Sequence, residues 1–414
     1  MSFRKSTLRL AAASVLVATI GLGSAAISAP AKAPAKAPAA AANSGEAPIG
    51  AAPVAVADPT KLLPIPKDYH PKKTQWGEPD FTGMWPIDSI ASIPFARGPQ
   101  YGNRFYLNQS ELNAREKQRQ GSLQRYEEEA KQGKIGMGHW VESDAAGSQT
   151  SLLVDPADGK LPAMTPWAQT LYKNGRSSWV NGQPYDWVSD FDTWDRCVTR
   201  GFPASMLPFR YNNGIRIKQS PGYVVIDLEM IHDSRVIPVA PNKAAFEQLL
   251  KTRWPANVRT WFGQSLGYWD GDNTLVIETT NIKAGDSVTG DNIARGPSPL
   301  NMATIGVPPN NTIPTSPDAK VVERLTMVSP NQIMYEMTYS DPKVFTAPFT
   351  VREPWFRNEK YAFYEYACFE GDVQVRNYIN ASRTQRGLKT SEIGDPNRVG
   401  ALTDASPAAS GASQ

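Results

Sequence analysis

The stretch that decides the fold is Lys320-Val321-Val322-Glu323-Arg324-Leu325-Thr326-Met327-Val328-Ser329-Pro330-Asn331-Gln332-Ile333-Met334-Tyr335-Glu336-Met337-Thr338-Tyr339. Two runs rich in β-branched and aromatic residues, Lys320–Val328 and Gln332–Tyr339, flank the turn sequence Ser329-Pro330-Asn331, which predicts a β-hairpin. Upstream, Leu266–Trp269 and Thr274–Thr280 are joined by Asp270-Gly271-Asp272-Asn273, a second hairpin signal. Downstream, Phe349–Phe356 and Tyr361–Tyr366 predict a third across Arg357-Asn358-Glu359. Farther upstream, Tyr223–Met230 alternates, with Val224, Ile226, Leu228 and Met230 on one face and Val225, Asp227 and Glu229 on the other. A short strand at Val236–Val239 and a short helix at Asn242–Lys251 follow. Three consecutive hairpins make an antiparallel meander, which commonly closes into a barrel. The strand–helix alternation of a parallel sheet is absent from the sequence. The expected class is therefore mainly β, a meander closing into a barrel.

Before the meander the pattern changes. Ser110–Lys134 is charged and helical, with sparse apolar anchors and Gly133 as a stop. Residues 135–200 lack periodicity but carry Trp140, Trp167, Trp179, Trp187 and Trp194 with Asp186, Asp190, Asp192 and Asp195. So long an irregular segment needs a rigid element to wrap. The expected organisation is a signal peptide at 1–28, an Ala/Pro-rich disordered tether at 29–63, a helical and irregular wrap at 64–200 with a first barrel strand near 81–86, the barrel at 201–386, and a disordered tail at 387–414.

The signal reading rests on Arg4, Lys5 and Arg9 before an apolar run from Leu10 to Leu22 and small residues at Ser24, Ala25, Ala26 and Ser28. That run is shorter than the ~20 residues of a membrane-spanning helix. The mature form is expected to have no stable span and to be periplasmic or secreted. The 43 Lys+Arg exceed the 40 Asp+Glu by three, and these three bases lie in the signal, so cleavage leaves a balanced chain. A balanced chain lacks the basic footprint of a nucleic-acid binder. Hydrophobics at 41% and aromatics at 10% exclude global disorder. In an oxidising compartment the two cysteines, Cys197 and Cys368, predict one disulfide, with a nucleophilic thiol as the alternative.

Asp80-Phe81-Thr82-Gly83-Met84-Trp85 resembles the Gly-x-Trp entry strand of lipocalin-like (calycin) barrels. That resemblance implies that Trp85 closes the barrel bottom beneath an arginine from the last part of the barrel, for which Arg383 stands at a suitable position. Longer runs are similar to a family of exported bacterial proteins of unassigned function. They are Arg196–Pro203, Glu229–Arg235, Gly271–Asn281 and Tyr364–Gly371, and the similarity spans about Phe81 to Arg383. Where this chain has Phe369, those proteins often have His. The resemblance implies secretion and a barrel-like domain, and no particular activity.

Gly263-Gln264-Ser265-Leu266-Gly267 matches a hydrolase nucleophile elbow literally, but it leads into a strand and all three histidines precede it. His232 is the better candidate. A bend after Ile231 would gather Glu229, His232, Asp233 and Arg235 at one opening, with His232 as acid/base, Glu229 or Asp233 orienting it, and Arg235 holding an anion. The competing reading is a structural histidine at a strand end. Tyr223, Trp269, Trp355 and Tyr366 would wall a ligand cavity, Glu278 is a strand carboxylate that would line it, and Arg196, Arg200 and Glu370 would form its rim once the cysteines join. Asp190-x-Asp192-x-x-Asp195 could hold calcium but lacks the Gly turn and terminal Glu of an EF-hand loop and reads as a polar wrap; no zinc-ligand spacing and no dinucleotide or phosphate loop appears, so neither metal nor cofactor is expected. Alternation does not say which strand face is inside, and the sequence leaves the oligomeric state open. Two functions suit these residues: a cofactor-independent lyase, isomerase or hydrolase acting on a small or medium organic ligand, or a periplasmic carrier that binds such a ligand without chemistry.

Overall fold

The computed structural model describes residues 55–134, 147–174, 178, 182–186, 188–284, 298–300, 313–368 and 373–388. The expected signal segment, most of the tether, and the tail beyond residue 388 lie outside the described residues. Ten strands form one sheet: β1 (Gly83–Met84), β2 (Leu153–Asp155), β3 (Ile215–Ser220), β4 (Tyr223–Leu228), β5 (Ser234–Ala240), β6 (Gln264–Trp269), β7 (Thr274–Thr280), β8 (Lys320–Ser329), β9 (Gln332–Ser340) and β10 (Phe349–Phe356). Their order in the sheet is β1-β3-β4-β5-β6-β7-β8-β9-β10-β2, and the sheet curls into a half-barrel. The protein is thus mainly β and mostly antiparallel.

Period-two patterning positions every side chain of the β8–β9–β10 meander. Val321, Glu323, Leu325 and Met327 face inward from β8, as do Ile333, Tyr335, Met337 and Tyr339 from β9 and Phe349, Val351, Glu353 and Trp355 from β10; all are buried. The opposite set is half-buried, except Thr326, which is buried and hydrogen-bonded to Thr274 at 3.1 Å. Glu336 lies in register with both Arg324 and Arg352, and Arg352 donates to it at 2.7 and 3.0 Å. The inward faces and the N-terminal residues Phe81, Trp85, Ile87, Ile90, Ile93 and Phe95 form one continuous apolar core.

Three features differ from the sequence expectation. First, β5 and β6 run parallel, Val239 opposite Gly267, because α3 (Lys243–Leu249) carries the chain across the outer face. Phe246 of α3 packs there on Leu266, Tyr268 and Val276, which makes the crossover a covered one. Second, Tyr361–Tyr366 forms no strand. The edge of β10 is taken by β2, brought in from the N-terminal wrap, and the chain after β10 instead satisfies its backbone elsewhere, Asn358 N–H donating to Met84 O at 2.9 Å. This bond joins the end of β10 to β1.

The third difference concerns the arginine over Trp85. It is Arg357, with Cζ 4.3 Å from the ring centroid. Its Nη1 donates to Thr82 O at 2.6 Å and to Glu359 Oε1 at 2.9 Å. Gly83 has φ 153°, and a Cβ there would collide with that guanidinium. Arg383 lies instead in α4 (Val373–Gln385), buried and 3.4 Å from Asp186.

Outside the sheet, α1 (Gln109–Lys131) begins at a capping box in which Asn108 accepts from Glu111 N–H and Glu111 accepts from Asn108 N–H. Only Leu112 of α1 is buried, so the helix is polar almost all round. A shorter helix, α2 (Pro166–Asn174), packs Ala168 into the core.

Candidate functional site

Between β4 and β5 the chain makes a tight bend in which Ile231 and His232 both adopt left-handed backbone conformations, φ 58° and 46°. A β-branched residue there costs about 1–3 kcal/mol. The bend persists because Ile231 is buried among Phe209, Met230, Trp194, Tyr211 and Tyr366, and because Leu228 N–H donates to Asp233 O at 2.8 Å. It sends the neighbouring candidate side chains in different directions.

Glu229 is buried and accepts four hydrogen bonds: Asn212 Nδ2 at 2.9 Å, Gly214 N–H at 3.0 Å, Tyr361 O–H at 2.6 Å and Tyr364 N–H at 3.1 Å. It anchors the segment that follows β10. His232 is exposed, with Nδ1 3.1 Å from Tyr366 O. Asp233 accepts from Thr199 Oγ1 at 2.9 Å. Burial pushes the Asp233 carboxyl up to about 6, against the Thr199 hydrogen bond and the nearby His232 charge. Arg235 points into the half-barrel. The structure therefore brings His232 and Asp233 together beside Tyr366, and places Glu229 and Arg235 elsewhere.

In the interior Arg235 forms a two-pronged pair with Glu323, at 2.9 and 2.5 Å. Its guanidinium also donates to Ser265 Oγ at 3.0 Å and lies over the Phe202 ring. Tyr335 O–H donates to Glu323 Oε1 at 3.0 Å and its ring stacks on Trp355 at 4.4 Å. Trp355 Nε1 donates to Glu353 Oε2 at 3.2 Å. Glu353 is fully buried, and burial pushes its carboxyl up to about 8 despite that hydrogen bond and the charge of Arg200. Burial also lowers Arg200 to about 10, partly offset by Tyr211, Tyr366 and Glu353. Trp269 is buried in the same apolar core, its ring 5.3 Å from that of Phe81. Trp269 and Trp355 thus belong to a packed core rather than to an open wall.

A cavity of about 320 Å³ lies outside this core, next to the Cys197–Cys368 disulfide, whose Cα atoms are 5.3 Å apart. Tyr185, Phe191, Trp194, Asp195, Tyr366 and Tyr378 contribute to its lining. The disulfide fixes the 361–368 segment against the loop before β3. Opposite, Arg383 and Arg386 of the C-terminal region hold Asp186, Arg386 Nη2 at 2.8 Å, and so fix α4 against the 182–191 loop. Tyr185 stacks on Phe191 at 4.6 Å, and Trp194 Nε1 donates to Met230 Sδ at 3.3 Å. Burial raises Tyr366 and Tyr211, which are hydrogen-bonded to each other. Its volume falls at the lower end of the range that small-ligand pockets occupy.

Of the remaining candidates, Tyr223 is exposed on the outer face of β4, and Glu278 faces outward on β7, paired with Lys320 at 2.6 Å. Arg196 is half-buried one residue before Cys197, and Glu370 lies outside the described residues. Arg200 is near Tyr366 but is buried and does not line the cavity, so it forms no rim. Sequence reasoning missed Glu353 as a site, although its two-residue spacing from Val351 and Trp355 places all three on one face. Phe191 and Tyr378 were missed because nothing local links a loop to a distant helix. Among the described residues no cluster of three or more His, Cys, Asp or Glu is placed to hold a metal ion, and no helix is long and apolar enough to cross a membrane. The chain matches no protein-family model and no curated protein sequence.

Proposed function

We propose that the protein is exported and binds a small, ring-bearing organic ligand in the cavity beside the Cys197–Cys368 disulfide. The observation that carries this reading is the aromatic cavity itself, about 320 Å³ with Asp195 among its lining residues and a disulfide in its wall. Aromatic faces contribute large contact area with little conformational freedom to lose, and one carboxylate orients a polar group on the ligand. Export is supported by the N-terminal basic–apolar–small pattern and by the pairing of both cysteines. The test is native mass spectrometry of protein taken from the periplasm or medium, with identification of any retained compound. Retention should fall at least tenfold in Trp194→Ala or Tyr378→Ala; equal retention in both variants sinks the assignment.

A second reading adds chemistry at His232. Its support is that His232 contacts the backbone of Tyr366, which lines the cavity, and that burial pushes the neighbouring Asp233 carboxyl up to about 6. On that reading His232 is the acid/base of a cofactor-independent lyase, isomerase or hydrolase, and His232→Ala abolishes turnover while ligand retention persists. Turnover that survives the substitution leaves the carrier as the remaining function.

A further inference from the structure

The loop between α3 and β6 has a composition unlike the rest of the surface. From Gln248 to Trp269 there is no Asp or Glu, while Lys251, Arg253 and Arg259 fall inside it. Its tip, Trp254-Pro255-Ala256-Asn257-Val258, is exposed at all five residues, with Trp254 at 40% and Val258 at 44%. Four of the five are apolar. Lys283 joins the basic set from the far side of β7, its Nζ 4.1 Å from the centroid of Trp261. Among the described residues, the carboxylate that meets this group is Glu278, 3.9 Å from Arg253 and already paired with Lys320. On the preceding helix Lys243 and Glu247 cancel.

Nothing about this exposure is loose. Asn281, itself left-handed at φ 59°, donates from Nδ2 to Pro255 O and Val258 O, both at 2.9 Å, and lies 3.5 Å from Trp254 O. Val258 N–H donates to Pro255 O at 2.9 Å, and Lys283 N–H to Thr260 O at 2.8 Å. Arg253 Nη1 donates to Gln264 O and Thr280 Oγ1 at 3.2 and 3.0 Å. The backbone of an apolar tip is therefore held outward in advance, so little ordering remains to be done on docking. A fixed apolar tip with a ring of cations matches the chemistry of a bilayer interface, where Trp sits at headgroup depth and Lys and Arg meet anionic lipid. A soluble polyanion would use the cations alone and leave Trp254 and Val258 without a role.

We propose that this loop docks the protein peripherally on the surface of an anionic phospholipid bilayer, Trp254 and Val258 entering the interface and Lys251, Arg259 and Lys283 facing the headgroups. The test uses the full chain carrying Ala256→Cys. Both native cysteines are disulfide-bonded, so the new thiol takes a single environment-sensitive fluorophore. The dye reports at the tip itself, whatever the apolar run at residues 10–22 does. Vesicles of phosphatidylcholine with about one-third phosphatidylglycerol should blue-shift the dye, and phosphatidylcholine alone should bind at least tenfold more weakly, the difference closing as salt is raised. Adding Trp254→Ala with Val258→Ser should weaken tip insertion at least tenfold, as should Lys251→Glu with Lys283→Glu, without changing the unfolding temperature. No shift with anionic vesicles overturns the proposal. So does an unchanged affinity in the Trp254→Ala, Val258→Ser variant, or a response to soluble anionic polysaccharide equal to that with vesicles.

Discussion

Arg357 covers the indole of Trp85 at 4.3 Å, and the contact ties the residue after β10 to the residue after β1. Trp85 has no exposed surface. Arg357 supplies a cation over its face and hydrogen bonds to Thr82 O and, through Nε at 3.0 Å, to Pro330 O. Arg357→Ala should cost about 2 kcal/mol, from the lost cation–π contact and the unpaired carbonyls. Gly83→Ala should cost at least as much, because a Cβ at that position meets the guanidinium and the backbone is strained. Urea denaturation checks both; an Arg357→Ala variant as stable as the parent would show that Trp85 needs no cover.

Glu353 predicts a pH dependence of stability. Its folded-state carboxyl lies at about 8, above the ordinary 4.5, so the protonated form is the one the fold favours. Its contribution is complete below about 4.5 and is lost as pH rises through 8. Glu353→Gln keeps the shape and removes the ionisation. The variant should gain on the parent between pH 5 and 9, approaching roughly 5 kcal/mol as an upper bound. Parallel stability–pH curves would contradict this.

Breaking the Arg235–Glu323 pair on one side should be far worse than replacing it whole. Both members are almost completely buried. Glu323→Ala leaves an uncompensated guanidinium in the core and should cost about 3–5 kcal/mol, while Arg235→Met with Glu323→Leu should retain most of the stability. A double-mutant cycle measures the difference directly. A double-variant loss equal to the sum of the Arg235→Met and Glu323→Leu losses would argue that the pair is not coupled.

The disulfide closes a loop of 171 residues. On the chain-entropy model Cys197→Ala with Cys368→Ala should lower stability by about 5 kcal/mol. It should also release the 361–368 segment from the cavity wall and so weaken ligand retention. Peptide mapping without reductant should show the two cysteines joined, and two alkylated thiols would refute the bond.

Local pattern sufficed for the meander. Period-two alternation marked β4, β8, β9 and β10, and turn chemistry marked the β6–β7 and β8–β9 hairpins, because both signals lie within a few residues of the structure they specify. The β5–β6 crossover was missed for the opposite reason. The α3 helix was legible, but whether β6 then pairs parallel or antiparallel depends on where Phe246 finds an apolar surface. The partner of Trp85 was likewise misplaced, since Arg357 and Arg383 both follow the last strands and only packing distinguishes them.

The candidate site divides in the same way. Sequence alone determined that the chain is mainly β, that its charge excess resides in the first residues, and that Glu229, His232, Asp233 and Arg235 cluster in the chain; that Cys197 and Cys368 pair was an expectation the tertiary structure decided. Only the tertiary structure decided where those four side chains go. The left-handed backbone at Ile231 and His232 turns the chain within two residues, so neighbours in sequence end on different sides of the sheet. The core selects which charges lie inside, Arg235 with Glu323, because a buried charge is tolerated only where a partner from a distant strand meets it. The cavity is assembled from residues as far apart as Tyr185 and Tyr378, and such proximity is written in no local pattern.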